Sequence, residues 1–323
     1  MLELFAALSL AAAGPPMERI FFLHSRNEPA LSVHHEAGTG PAVLYVHGAT
    51  FPAALSMNYR MAGSSWADDL HHRGFDVWSF DFAGYGASER PASMRLDQVA
   101  SKNVPGRAPD AARQIERVIR YIRRETHGQR VSIIAHSWGT IPAGLAVSNH
   151  PAWIDKLILF GPVAKRDGKQ AVAGTNAPTA LISAQDQWES FQSGVPHDRP
   201  SPISKSNFDQ WAKTYLATDA GSGARSPPSV EVPAGPQIDF AEAWNGKFPY
   251  NPRRVRTPTL IVRGEWDAIT QDADAAWLVH NMANVPGGVR ELKLPHGAHR
   301  MHLEANRQVL FDAVGGFLAE GRP

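Results

Sequence analysis

Hydrophobic and polar positions alternate along this chain in two distinct rhythms. Residues 19–23 and 31–35 are short strand-like runs on either side of Asn27-Glu28-Pro29, which predicts a β-hairpin. Ala42–Val46 (AVLYV) is apolar without a break and ends in His47-Gly48, the pattern of a strand buried on both faces. Residues 66–72 are helical in composition, Gly74 stops them, and 75–80 (FDVWSF) form the next strand. Within 110–125, Ile115, Val118, Ile119 and Ile122 recur at helical spacing, with arginines on the outer face. Residues 131–135 (VSIIA) read as another buried strand, 138–148 as a small-residue helix packed closely on a sheet, and 157–160 as a strand running into Gly161-Pro162.

Strands alternating with helices imply an α/β fold with a mostly parallel central sheet and helices on both faces. The rhythm breaks between residues 164 and 252, a stretch that holds ten of the 25 prolines. Two pieces of it, 185–192 and 207–218, read as helices, and 222–236 reads as loop throughout. The rhythm resumes with a strand at 259–263, a helix at 272–282, a strand at Arg290–Leu294 and a helix at 304–318. An irregular insert in a regular frame usually covers a site. The expected organisation is a core of residues 17–163 and 254–323, a lid insertion of 164–253 after the sixth strand, and an N-terminal extension of 1–16.

Composition narrows the function. Lys+Arg is 32 against Asp+Glu 31, a net charge of +1, and the densest basic run is Arg253-Arg254-Val255-Arg256, which argues against nucleic-acid binding by counterion release. There is no cysteine, which excludes disulfide frameworks, cysteine nucleophiles, iron–sulfur clusters and Cys-ligated zinc. No apolar run approaches the roughly 20 residues of a membrane span. Residues 4–13 (LFAALSLAAA) have the length of a signal-peptide apolar region, with Ala11-Ala12-Ala13 as a cleavage site, but the only charge before them is Glu3. Retention of 1–16, or a start at Met17, is the favoured reading. The chain is therefore expected in the cytoplasm, with secretion or periplasmic export the alternative if 1–16 is a leader.

The strongest chemical signal is Ala135-His136-Ser137-Trp138-Gly139, between a buried strand and a small-residue helix. A serine there sits on a sharp turn with its hydroxyl above the sheet, and small residues two before and two after let strand and helix approach. Ala135 replaces the usual first glycine. The plainer reading is a βα turn with a capping serine. A nucleophilic serine needs a base, and the base needs a carboxylate to orient it; in this architecture the chain order is Ser, acid, His. Downstream, 259–263 leads into Gly264-Glu265-Trp266-Asp267, and the last strand leads into Pro295-His296-Gly297-Ala298-His299. The order is thus Ser137, Asp267, His299.

These pieces, with His47-Gly48-Ala49-Thr50 and the D-x-x-G-x-G-x-S loop of Asp81 to Ser88, resemble the α/β-hydrolase family over nearly everything outside the insert. The resemblance implies that Ser137 attacks a carbonyl, His299 moves its proton and Asp267 orients His299. It implies that backbone N–H groups of Ala49 and Trp138 form the oxyanion hole. It favours Asp267 over Glu265 and Asp167 as the acid, and His299 over His296 as the base; His47 is expected to brace the oxyanion loop and His136 to pack at the elbow. The spacing of His296, His299 and His302 lacks the further ligands of a metal site, and no H-E-x-x-H occurs. No metal and no cofactor are implied.

Substrate contacts are expected from Phe51, Trp138, Trp188, Phe191 and Trp211, with the lid's own core as the competing use of its rings. The expected activity is hydrolysis of an apolar or aromatic carboxylic ester of moderate size through an acyl-enzyme. The alternatives are an amidase or proline-type aminopeptidase, since Ser-Trp-Gly is similar to that elbow, and a C–C bond hydrolase. An aminopeptidase would need a carboxylate for the substrate amine, for which Glu189, Asp198, Asp209, Glu231, Asp239 and Glu242 are candidates. A non-catalytic binding protein on this fold is the rival from another class. The expected partner is a small-molecule substrate, with a homodimer kept open.

Overall fold

In a computed structural model, which describes residues 18–97, 103–168 and 177–321, the apolar runs become neighbouring strands. The expectations for residues 1–16 lie outside the described residues. The strands are β1 (Glu18–Ser25), β2 (Glu28–Glu36), β3 (Ala42–Val46), β4 (Asp76–Phe80), β5 (Val131–His136), β6 (Ile154–Phe160), β7 (Thr179–Ser183), β8 (Ser229–Pro233), β9 (Thr259–Gly264) and β10 (Arg290–Leu294). The helices are α1 (Trp66–His72), α2 (Ala108–Glu125), α3 (Thr140–Asn149), α4 (Ala184–Gln192), α5 (Lys205–Ala217), α6 (Gly235–Trp244), α7 (Asp272–Asn281) and α8 (Arg307–Ala319). Eight strands make one sheet in the order β1-β2-β4-β3-β5-β6-β9-β10. The β1–β2 hairpin joins β4 antiparallel; every later pairing is parallel.

The alternation of side chains along each central strand explains why both faces are covered. Val43 and Tyr45 of β3, Ile134 of β5 and Ile158 and Phe160 of β6 pack with Trp66 and Leu70 of α1 and with Leu310, Phe311 and Val314 of α8. Their chain neighbours Leu44 and Val46, Ile133 and Ala135, and Leu157 and Leu159 pack with Ile115, Val118, Ile119 and Ile122 of α2 and Ile141 of α3 on the opposite face. A strand with two buried faces is apolar at most positions on both faces, so its period-2 signal vanishes. One arginine of α2 departs from the expected outer face. Arg117 is buried, with Nη1 2.8 Å from Glu28 Oε2 and Nη2 donating to the Pro29 carbonyl at 2.6 Å, and so ties the helix to the hairpin turn.

Between β6 and β9 the chain leaves the regular alternation. This stretch contains α4, α5 and α6 and a two-stranded antiparallel ribbon of β7 with β8. The expectation of loop throughout 222–236 is corrected here, since β8 occupies Ser229–Pro233 and α6 begins at Gly235. Only Val230 and Val232 alternate in that strand, too short a local signal. Its place is fixed by distant partners: Asp219 Oδ2 accepts from the Glu231 N–H at 2.9 Å and from Arg225 Nη1 at 2.7 Å. Phe191, Phe208, Trp211 and Tyr215 from α4 and α5 pack on one another and join the main core. Among the described residues, no helix is long and apolar enough to cross a membrane.

Candidate active site

The turn after β5 forces Ser137 into the left-handed region, φ +56°, which costs a non-glycine residue about 1–3 kcal/mol unless the surroundings hold it there. They do. A Cβ on Gly139 would stand 2.3 Å from the His47 carbonyl oxygen, so α3 approaches β3 only because that position is glycine. The Thr140 hydroxyl donates to the Ser137 carbonyl at 2.6 Å and fixes the first turn. His136 Nε2 donates to the His299 carbonyl at 2.9 Å, which links the elbow directly to the loop after β10.

Three loops at the C-terminal ends of parallel strands then converge. Ser137 Oγ lies 2.7 Å from His299 Nε2. His299 Nδ1 lies 3.0 Å from each carboxylate oxygen of Asp267, at the end of β9. Burial pushes the Asp267 carboxyl up, but the adjacent His299 and the N–H groups of Thr270 (2.9 Å) and Ile269 (2.8 Å) outweigh it and hold the group below its ordinary value. An ionised Asp267 only accepts, so His299 Nδ1 carries the proton and Nε2 is free to accept from Ser137. Gly161, at φ +54° after β6, passes so close that a Cβ there would stand 3.0 Å from Asp267 Oδ2 and 3.1 Å from the His299 ring.

The competing groups stand elsewhere. Glu265 accepts from the His296 N–H at 3.1 Å, and the His296 ring stacks on Trp266 away from Ser137. Asp167 is exposed and pairs with Lys165. His302 is buried behind the site, with Nε2 2.9 Å from Ser56 Oγ. Burial lowers His136 and His302 well below the ordinary histidine value, so both are neutral. The three histidines 296, 299 and 302 therefore face three different surroundings.

His47 is pulled down to about 4 by burial and is neutral. Its Nδ1 donates to the Gly48 carbonyl at 2.7 Å, and its Nε2 accepts from the Phe82 N–H at 3.0 Å. Tyr85 donates to the Ala49 carbonyl at 2.6 Å. In a trans peptide the N–H points opposite to the C=O, so capture of the Gly48 carbonyl turns the Ala49 N–H the other way. Asp81 holds the neighbouring loop by accepting from Ala53 N (2.9 Å) and Ala87 N (3.2 Å). Gly86 is required there because a Cβ would reach 2.2 Å from Asp81 Oδ2.

A cavity of about 160 Å³ opens onto Ser137 and His299 and is walled by Ala49, Phe51, Ser190, Phe240, Ile269 and Arg300. That is below the roughly 300 Å³ at which drug-sized ligand sites begin. Ser190 and Phe240 come from the insertion. Of the five side chains expected to touch substrate, Phe51 lines the cavity. Trp138 points away, its Nε1 donating to Asp239 Oδ2 at 3.0 Å. Trp211 donates to the Leu55 carbonyl at 3.0 Å, Trp188 packs edge-on against Phe208, and Phe191 is fully buried between Phe208 and Trp211. None of the last four lines the cavity, because each ring is used in packing the insertion or the elbow. Arg300 was not singled out by the sequence. Its signal is slight: a cation directly after the histidine, flanked by the buried Ala298 and Met301.

A sequence model described as the alpha/beta hydrolase fold matches residues 41–306, and the chain belongs to that family. Solved structures of that fold are similar to it along nearly its whole length. The 2-hydroxy-6-oxo-6-phenylhexa-2,4-dienoate hydrolase from Rhodococcus sp. is 19% identical with a TM-score of 0.63, over 94% of this chain and 99% of that one. The thioesterase domain from the curacin biosynthetic pathway is 16% identical with a TM-score of 0.59, over 94% and 99%. The N-formylmaleamic acid deformylase from Pseudomonas putida is 15% identical with a TM-score of 0.58, over 92% and 99%. At these identities the likeness is one of fold. No curated protein matches the chain significantly.

Proposed function

We propose that the chain is a serine hydrolase that cleaves a small carboxylic ester through an acyl-enzyme, with the insertion as its lid. The observation that carries this reading is the unbroken relay of 2.7 Å from Ser137 Oγ to His299 Nε2 and 3.0 Å from His299 Nδ1 to Asp267. His299 Nε2 takes the Ser137 proton as Oγ bonds to the carbonyl carbon. Asp267 stays ionised and stabilises the imidazolium. The N–H groups of Ala49 and Trp138 receive the developing oxyanion; loss of one such donor costs other enzymes about 2.7–4 kcal/mol. The intermediate collapses as His299 returns the proton to the leaving alcohol and the C–O bond breaks. Water, deprotonated by His299, then attacks the acyl carbon; the C–Oγ bond breaks, His299 returns the proton to Ser137 Oγ, and the acid leaves.

The neighbours' names include a thioesterase, a C–C hydrolase and a deformylase, chemistries that share an attack on a carbonyl carbon. An amine-anchoring peptidase has less support. Among the described residues no carboxylate lines the cavity, and Asp239 and Glu242 are both engaged by Arg107. Ser137→Ala is expected to abolish hydrolysis of short p-nitrophenyl esters while leaving the circular dichroism spectrum and melting temperature near wild type. Retained turnover in that variant would remove Ser137 from the reaction.

A further inference from the structure

Arg300 is 5% exposed and lines the cavity beside His299. Its guanidinium donates to Gln187 Oε1 at 3.1 Å and to Ser190 Oγ, both from α4. Its Cζ lies 5.1 Å from the Phe191 ring centroid and 5.6 Å from that of Phe51. Among the described residues, no carboxylate oxygen stands within 4.0 Å of it. Two buried acids act on Arg300 through their charge without touching its guanidinium: Asp267 is engaged by His299, Thr270 and Ile269, and Glu304 accepts from the Ala298 N–H at 3.0 Å through Oε2, its Oε1 making no hydrogen bond among the described residues.

A buried cation with no carboxylate in direct contact is costly, because the neutral acceptors that satisfy its N–H groups do not neutralise its charge. The guanidinium is also a planar fork with five donors, which makes two side-chain hydrogen bonds among the described residues, and it matches a carboxylate in bidentate geometry. Arg117, another buried arginine, has its carboxylate in Glu28. Arg263 likewise has Glu291 and Asp272. Arg300 differs from both, and it differs at the wall of the reactive cavity.

We infer that Arg300 docks a carboxylate of the substrate, so that the site acts on small esters carrying a free carboxylate a few bonds from the scissile carbonyl. The Arg300 guanidinium and Ser190 supply the polar end of the cavity, while Phe51, Phe240 and Ile269 hold the hydrocarbon between that end and Ser137. The inference rests on the serine-hydrolase reading and gives it a substrate class, in place of the apolar or aromatic ester expected from the insertion's rings.

The test compares the monoethyl half-esters of succinate, glutarate and adipate with neutral counterparts in which an isopropyl group replaces the carboxylate. At least one half-ester should be cleaved with a kcat/KM about 30-fold or more above its neutral counterpart, and Arg300→Met should erase that ratio. If Arg300→Met fails to fold, Arg300→Lys, which keeps the charge but loses the fork, should still reduce the ratio. An independent readout is binding of the three dicarboxylates to Ser137→Ala protein by calorimetry, lost on adding Arg300→Met. Equal rates on both ester types, or a preference that survives loss of Arg300, overturn the inference. A fluorophosphonate separates this failure from that of the parent reading: labelled Ser137 with no half-ester preference defeats the carboxylate site alone. Arg300-dependent dicarboxylate binding with an unlabelled Ser137 defeats the hydrolase reading alone.

Discussion

Ser137 carries a backbone conformation that few serines adopt, and the residues around it share one property: none has room to spare. Gly139 is glycine because the His47 carbonyl already occupies the space of a methyl group, and Gly161 because its backbone is left-handed and the Asp267–His299 pair would crowd a Cβ there. The orientation of His299 rests on Asp267 and not on its neighbour Glu265. Asp267→Asn should reverse the imidazole tautomer and lower kcat on an activated ester by about 10⁴-fold. Glu265→Gln, on an exposed loop, should stay within about twofold of wild type. A reversed ranking in those two kinetic assays would mean that the wrong carboxylate has been assigned. The grouping of Ser137, Asp267 and His299 was legible because each lies at the end of a recognisable strand and the order along the chain is restrictive. Arg300 was not, since a charge becomes conspicuous only when its lack of a contacting carboxylate is visible. The rings of Trp188, Phe191 and Trp211 show the converse: an aromatic residue in an insertion fills a core or a pocket with the same composition.

At the scale of elements, the docking of α6 depends on one carboxylate. Asp239 Oδ2 accepts from the Trp138 indole at 3.0 Å and from the Ala108 N–H at 2.7 Å, and Oδ1 accepts from Arg107 Nε at 2.7 Å. It thereby joins the insertion to the start of α2 and to the elbow. Burial pushes this carboxyl up to about 6, although Arg107, Trp138 and the Ala108 N–H pull against it. Asp239→Ala leaves Arg107, the indole and the Ala108 N–H without their shared acceptor, and should cost about 3–5 kcal/mol of stability in urea unfolding. It should also raise KM, because the next residue, Phe240, forms part of the cavity wall. A loss below about 1 kcal/mol would show that α6 is held by other contacts. The same elements show where reading a sequence stops. Strand β3 is a continuous apolar run, β5 and β9 each carry one at Ile133–Ala135 and Leu260–Val262, and α2 repeats its apolar residues at helical spacing. The ribbon of β7 with β8 pairs residues some fifty positions apart, such as Thr179 with Pro233, and no local pattern carries that information.

Over the whole molecule, buried ionisable groups near the site connect stability to pH. Glu304 is completely buried, with Oε2 accepting from the Ala298 N–H and Oε1 making no hydrogen bond among the described residues. Burial raises its carboxyl to about 7 from an ordinary 4.5, against the pull of the Ala298 N–H and the Arg300 charge. Between those two values the folded chain binds this proton more tightly than the unfolded chain, so the contribution of Glu304 to stability falls as pH rises and is lost above about 7. The full difference is roughly 3 kcal/mol. Glu304→Gln removes it, so the stability of the variant relative to wild type should rise by roughly that amount between pH 4.5 and about 8 in urea unfolding. Parallel pH profiles would show that Glu304 titrates alike in both states. The central claim concerns a different proton, the one shared by Ser137 and His299. Its most direct test is mass spectrometry of the protein after reaction with a fluorophosphonate. A single adduct on the peptide containing Ser137, absent from Ser137→Ala and strongly slowed in His299→Ala, is the predicted result; an unmodified chain, or an adduct on another serine, would contradict it.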